Sequence, residues 1–196
     1  MSLALLTAAL LLALERACYV WIARAPRSFC RWCAWPAVAR LGEPIAVVGA
    51  LFLAFKALQS AVFAGWCLAH GDFPGLSDSG AAVAMGAGLI VVGQILNVMV
   101  FYRLGRIAIF FGDRLGYDVA WCQAFPFSVL AHPQYVGTVL TIWGFFLGVR
   151  FPHDDWFLLP LLETVYYTVG TFMENRTVHG VADETTRAVP AMRTQP

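Results

Sequence analysis

His132 and Tyr135 stand in the run Phe125-Pro126-Phe127-Ser128-Val129-Leu130-Ala131-His132-Pro133-Gln134-Tyr135-Val136-Gly137. Of all the chain, this stretch has the residue types most suited to chemistry. It leaves a polar, arginine-bearing connector and enters an apolar segment, so it belongs where water meets hydrocarbon. Pro126 and Pro133 remove backbone donors and disfavour helix on their N-terminal sides. Irregular backbone at that depth is tolerated only where protein or a wet cavity satisfies its polar groups. Such a segment suits a site that takes a polar molecule from water and an amphiphile from lipid. A lone histidine is more often a hydrogen-bonded anchor than a proton carrier, and that plainer reading stands beside the sharper one.

Other residues with chemical potential are scattered. Lys56 and Glu163 fall inside apolar segments, where ionisable groups are functional candidates by default. Their partners are open: each other, Glu15 or Arg16, or the interface by snorkelling. Glu174 follows the last apolar segment, where an anion opposes the helix dipole. Asp113 lies between Gly112 and the turn Arg114-Leu115-Gly116, and reads equally as a turn former or a hydroxyl acceptor. Gly105, Gly112 and Gly116 read first as backbone permissiveness. Cys30-Arg31-Trp32-Cys33 is a lone C-x-x-C without a βαβ context, so redox or zinc chemistry is the minor reading. His153-Asp154-Asp155 reads as a hydrated turn, and no metal-ligand spacing stands out.

The elements that must position these residues are apolar. The chain has 196 residues, of which 60% are hydrophobic and 13% charged, with a mean hydropathy of +0.69. That charged share is far below the usual ~25% of a soluble domain. The composition predicts an all-α, polytopic transmembrane helical bundle, in a single domain over 1–196: an N-terminal segment and basic loop (1–43), a helical core (44–176) and a polar tail (177–196). A net charge of +1 carries no nucleic-acid signature. Five cysteines, an odd number, read as free thiols in a reducing compartment. Met1 to Leu14 lacks a positive n-region and a cleavage site, so a cleaved signal peptide is not expected.

Four or five apolar segments follow one another. Leu3 to Ile22 is interrupted by Glu15 and Arg16, and reads either as a spanning helix with an intramembrane pair or, the favoured option, as a re-entrant, tilted one. Ile45 to Ala69 and Gly80 to Phe101 are long enough to span. The second is rich in small residues that permit close helix approach. His70 to Ser79 reads as a loop. Tyr135 to Val149 must begin earlier if it is to span, and Trp156 to Met173 is the last apolar run. Arginines gather after the first and third segments and in the tail, which places those parts on the cytoplasmic side.

The connector Leu104-Gly105-Arg106-Ile107-Ala108-Ile109-Phe110-Phe111-Gly112-Asp113-Arg114-Leu115-Gly116 is followed by Phe125-Pro126-Phe127, by His132-Pro133-Gln134-Tyr135-Val136-Gly137, and by a last helix ending Phe172-Met173-Glu174-Asn175. This order resembles the phospholipid methyltransferase family, most closely from about Gly105 to Asn175; Tyr19-Val20-Trp21-Ile22-Ala23-Arg24 is similar to its N-terminal segment. The resemblance implies methyl transfer from S-adenosylmethionine to the amine of phosphatidylethanolamine or its mono- and dimethyl forms, toward phosphatidylcholine. It implies a phospholipid partner from the bilayer and an integral membrane protein of the endoplasmic reticulum or bacterial inner membrane, with the cofactor site facing the cytosol. The family's Gly-x-Gly on the third helix corresponds to Gly86-Ala87-Gly88, whereas an ungapped count back from Gly112-Asp113 falls nearer Gly93. All three are carried as candidates. Glu174-Asn175 stands where the family has two acids. Cofactor binding is thereby expected of Gly86, Gly88, Gly93, Gly105, Arg106, Gly112, Asp113, His132, Pro133, Tyr135, Gly137, Glu174 and Asn175, with His132 and Glu174 as catalytic candidates. Methylation of another membrane-borne acceptor, such as a prenylcysteine carboxylate, is the nearest alternative. A scaffold or transporter, which needs a polar path through Lys56, Gln94, Asn97 and Glu163 to both faces, is the non-enzymatic one.

Overall fold

A computed structural model of the chain describes residues 3–69, 75–119 and 122–187, with side chains through residue 173. Much of the His70–Ser79 loop, the side chains of Glu174 and Asn175, and the tail beyond Arg187 therefore lie outside the described residues. Among the described residues seven helices follow in order: α1 (Leu3–Arg24), α2 (Pro26–Cys33), α3 (Pro36–Ala39), α4 (Pro44–Ala69), α5 (Gly80–Ile109), α6 (Pro133–Val149) and α7 (Leu158–Arg187).

Proline sets several of the starts. Pro26, Pro36 and Pro133 each occupy the first turn of a helix, where a missing N–H costs nothing. Ser79 caps α5 by accepting from the backbone N–H of Ala82 at 3.3 Å. Gly105 interrupts α5 with φ 69° and ψ 174°, a region open in practice only to glycine. The connector thus breaks away from the helix at Gly105.

Among the described residues three helices, α1, α4 and α5, are long and apolar enough to cross a membrane, and α6 is a shorter apolar helix of 17 residues. The first segment differs from the favoured expectation. It is one uninterrupted 22-residue helix rather than a re-entrant one. The reason is local: Glu15 and Arg16 pair with each other at 2.9 Å, so the charges need not leave the helix for water.

Two apolar clusters organise the bundle. One joins Leu12, Phe63, Trp66, Ile142, Phe146 and Leu159 from α1, α4, α6 and α7. The other joins Tyr19, Ile22, Phe29, Val47, Val48 and Phe110 from α1, α2, α4 and the connector. In lipid such clusters hold by close packing rather than by exclusion of water. α5 packs chiefly on α6, while Met85, Val91, Val92, Ile95 and Val98 remain exposed on α5 as hydrocarbon-facing positions. The loop ahead of α5 is fastened where α6 ends, by Ser77 N–H donating to Gly148 C=O at 2.8 Å. Arg150, 3% exposed, makes a two-pronged contact with Asp155 at 3.0 and 3.2 Å and closes the turn into α7.

Candidate active site

A cavity of about 660 Å³ opens between the two apolar clusters. That is within the range of small-molecule sites. Phe52, Phe63, Phe101 and Phe145 supply apolar wall. Ile109, Phe110 and Phe111 of the connector share it with Gln134 and Tyr135 of the proline-flanked stretch. The two parts of the sequence expected to cooperate therefore border one hollow.

Its polar side is built by α1, α4 and α7. Glu15 Oε1 lies 2.9 Å from Arg16 Nη2 and 3.3 Å from Lys56 Nζ. Lys56 Nζ also donates to Gln59 Oε1 at 3.1 Å and to Tyr167 Oη at 3.1 Å. Gln59 Nε2 then donates to Glu163 Oε1 at 2.7 Å. The open question of partners is settled in this way: Lys56 pairs with Glu15, and Glu163 is held through an amide. The spacing makes this possible, because Lys56 and Gln59 are three apart, and Glu163 and Tyr167 four apart, on single helical faces.

The guanidinium of Arg16 stands over three rings, 4.1 Å from the centroid of Tyr167, 5.3 Å from Tyr19 and 5.7 Å from Tyr135. Cation–π attraction of this kind is strongest where water is displaced. Among the described residues, Arg16 Nε, Tyr19 Oη and Asn97 Oδ1 are buried without a hydrogen-bond partner, and all three residues line the cavity. Buried polar atoms in native proteins usually find partners. These three are suited to a ligand that both accepts and donates.

The expected site residues fall into separate groups. Tyr135 lines the cavity, and the His132 ring stacks on it with centroids 5.8 Å apart and planes 16° apart. Pro133 is buried at the start of α6, directly after His132. Gly86, Gly93 and Gly137 lie in the seam between α5 and α6. A Cβ on Gly86 would meet Gly144 O at 2.5 Å, one on Gly93 would run into Gly137 O, and one on Gly137 would meet Asn97 Oδ1 at 2.7 Å. Gly88 is exposed, with nothing among the described residues within 4 Å of such a Cβ. Gly105 and Arg106 are exposed beyond α5's break, with Arg106 Nη2 approaching Gly49. Gly112 closes a turn by donating to Ile107 C=O at 2.9 Å, and Asp113 pairs with Arg114 at 3.3 Å on the surface. Glu174 and Asn175 have backbone in α7, and their side chains lie outside the described residues.

Sequence reasoning passed over Tyr19 and Tyr167 as members of the polar cluster. Tyr167 could have been found from its four-residue spacing to Glu163; Tyr19 from its place one turn after Glu15 and Arg16. The tyrosines were hidden because an aromatic residue in an apolar segment reads as packing until a cation is placed over it.

A family model for phospholipid methyltransferase matches residues 81–181, slightly more than half of the chain. Over 88 residues the chain is 32% identical to a phosphatidyl-N-methylethanolamine N-methyltransferase of Arabidopsis thaliana, covering 45% of this chain and 50% of that protein. Over 128 residues it is 30% identical to a phosphatidylethanolamine N-methyltransferase of Rattus norvegicus, covering 65% of this chain and 63% of the relative. The Homo sapiens protein of the same name is 31% identical over 98 residues, covering 50% of this chain and 48% of its own length. The chain thus spans about half to under two thirds of the curated relatives it matches. No solved structure matches it.

Proposed function

The chain belongs to the phospholipid methyltransferase family, and from that premise we propose that it is an S-adenosylmethionine-dependent N-methyltransferase acting on phosphatidylethanolamine or its mono- and dimethyl forms. The observation that carries this reading is the shared wall of the cavity, where the connector's Ile109–Phe111 and the stretch's Gln134 and Tyr135 meet beside a charged cluster. A water-borne donor and a bilayer-borne amine need one such hollow. The orphaned Tyr19 Oη and Asn97 Oδ1 are compatible with polar ligands of that kind.

When bound, S-adenosylmethionine supplies an electrophilic methyl on a sulfonium. Everything else falls to this chain. A lipid ammonium is protonated at neutral pH, much like an exposed lysine, and low polarity in the cavity lowers its affinity for that proton. His132 and Glu174 are the proposed proton acceptors. His132 is braced for this by its stack on Tyr135. Glu174 and Asn175 at the far part of α7, with Gly105, Arg106, Gly112 and Asp113 of the connector, are the proposed hold on the donor. The phenylalanine walls of the cavity limit water around the reacting groups, and positioning of those groups then supplies much of the rate. The side carrying the arginine-rich connector is proposed to face the cytosol.

Purified protein in lipid is expected to transfer label from S-adenosylmethionine to phosphatidylethanolamine or its monomethyl form. No labelled lipid of any headgroup, despite intact cofactor binding, would reject the assignment. Glu174→Ala is expected to weaken cofactor binding with little change in melting temperature; unchanged cofactor affinity would remove Glu174 from the site.

A further inference from the structure

Arg16 and Lys56 come to the cavity from different helices and lean on one carboxylate, Glu15, at 2.9 and 3.3 Å. Two cations against one carboxylate leave the trio with one net positive charge. The other acid of the cluster, Glu163, engages Gln59 instead. Arg16 Nε is buried and has no hydrogen-bond partner among the described residues, and the Arg16 side chain is 12% exposed. Positive charge within hydrocarbon is costly and marks a substrate path or a paired anion. An unmet donor on a buried guanidinium adds to that cost. Tyr167 holds both cations in place, with its ring under Arg16 and its hydroxyl on Lys56. The arrangement is therefore a braced pair of cations with one unmatched donor, on a cavity whose surface is largely apolar.

We propose that Arg16 and Lys56 are the binding site for the phosphodiester of the lipid acceptor. This inference rests on the phospholipid reading above and adds which residues select the substrate. A phosphodiester carries one negative charge and several acceptor oxygens. It complements the surplus positive charge of the Glu15–Arg16–Lys56 trio and can meet the unmatched Nε–H of Arg16, with Lys56 as a point charge beside it. Phe52, Phe63 and Phe145 flank the same hollow and suit the glycerol and first acyl carbons. Both cations precede residues 81–181, the part matched by the family model. The α1–α4 half of the chain thus supplies the lipid's anchor, and the matched half supplies the connector, His132 and Tyr135.

The test uses the full chain in detergent. Melting temperature is measured alone, with short-chain phosphatidylethanolamine, and with a phosphate-free amine lipid of equal chain length. Stabilisation by the phospholipid, competed by glycerophosphoethanolamine and not given by the phosphate-free lipid, is the expected result. Equal stabilisation by both lipids overturns the inference, and this arm needs no variant to fold. In the second arm, Lys56→Met and Arg16→Lys are expected to raise KM for the lipid by roughly tenfold, the scale of one charge-assisted contact, with KM for S-adenosylmethionine changing little. A rise in KM for S-adenosylmethionine alone overturns the inference, since the cations would then serve the donor's carboxylate. Wild-type protein that binds phospholipid through its phosphate yet methylates none would sink the enzyme reading and leave the anchor standing.

Discussion

The Nζ of Lys56 lies 3.3 Å from Oε1 of Glu15, joining α4 to α1 within the apolar part of the bundle. The same carboxylate also faces Arg16 at 2.9 Å. Glu15 is 4% exposed, so its charge is tolerated only because cations accompany it. One acid therefore holds two helices and sets the posture of two cations.

Glu15→Gln is expected to be the most damaging single change in this cluster, because it leaves both cations without their shared carboxylate. Breaking a buried pair from one side costs about 3–5 kcal/mol, and the lower end applies here because water still reaches part of Lys56, whose side chain is 30% exposed. Unfolding in detergent measures the loss. Adding Lys56→Met to Glu15→Gln should recover part of it by restoring the charge balance. A Glu15→Gln variant as stable as its parent would show that the pair contributes nothing to the bundle.

The seam between α5 and α6 gives a second expectation. Cβ atoms placed on Gly86 and Gly144 would each lie 2.5 Å from the other residue's carbonyl oxygen, so the two backbones touch where these glycines face. Gly144→Ala must therefore push the helices apart, with an expected loss of about 1–3 kcal/mol. Gly88→Ala is the matched control. A Cβ there meets nothing within 4 Å among the described residues, so the change should be neutral or stabilising, by up to about 1 kcal/mol of helix propensity. Equal melting temperatures for the two variants would argue against this seam.

The small residues that make this seam were visible in the sequence, as were the spanning lengths of α4 and α5, because both follow from composition along one helix. The fate of each glycine was not visible. Gly86, Gly93 and Gly137 share the motif positions expected to meet a cofactor, yet each faces backbone or side chain of the neighbouring helix. Only the rotation of α5 against α6 decides that, and a lone sequence does not encode it locally. The same holds for the polar cluster. Lys56, Glu15, Arg16 and Glu163 stood out as charges in apolar segments. Their placement depends on contacts far apart in the chain, as between Lys56 and Tyr167, 111 positions apart. The stretch around His132 was legible because two prolines and a change from polar to apolar sequence are local signals.

Cys33 offers a test of the short helix α2, outside the spanning segments. It is 4% exposed, and burial raises its thiol above the usual range, with Cys30 nearby acting in the same direction. A raised thiol holds less thiolate at any given pH, and the thiolate is the reactive form. Alkylation in the folded protein is therefore expected to be slower at Cys33 than at the partly exposed Cys30, with Cys33 gaining rate only at higher pH. Mass spectrometry of protein labelled between pH 7 and 10 checks this, a range of about three units around the ordinary thiol value. Equal labelling of both at the lower pH would mean that α2 does not bury Cys33.

Tyr167 separates the two ways in which the cluster is held. Its hydroxyl accepts from Lys56 Nζ at 3.1 Å, and its ring lies 4.1 Å from the Arg16 guanidinium. Tyr167→Phe removes the first contact and keeps the second. Tyr167→Leu removes both. A hydrogen bond to a charged group contributes about 1.5–3 kcal/mol, and a desolvated cation–π contact about 2 kcal/mol. Tyr167→Phe should therefore lower stability moderately and loosen Lys56, whereas Tyr167→Leu should cost more and release Arg16 as well. If Arg16 and Lys56 anchor the lipid phosphate, lipid KM should rise in the same order while the KM of the methyl donor changes little. Leu and Phe variants with the same stability and the same lipid KM would show that the ring does not hold Arg16, and the posture of that cation would then have to come from Glu15 alone.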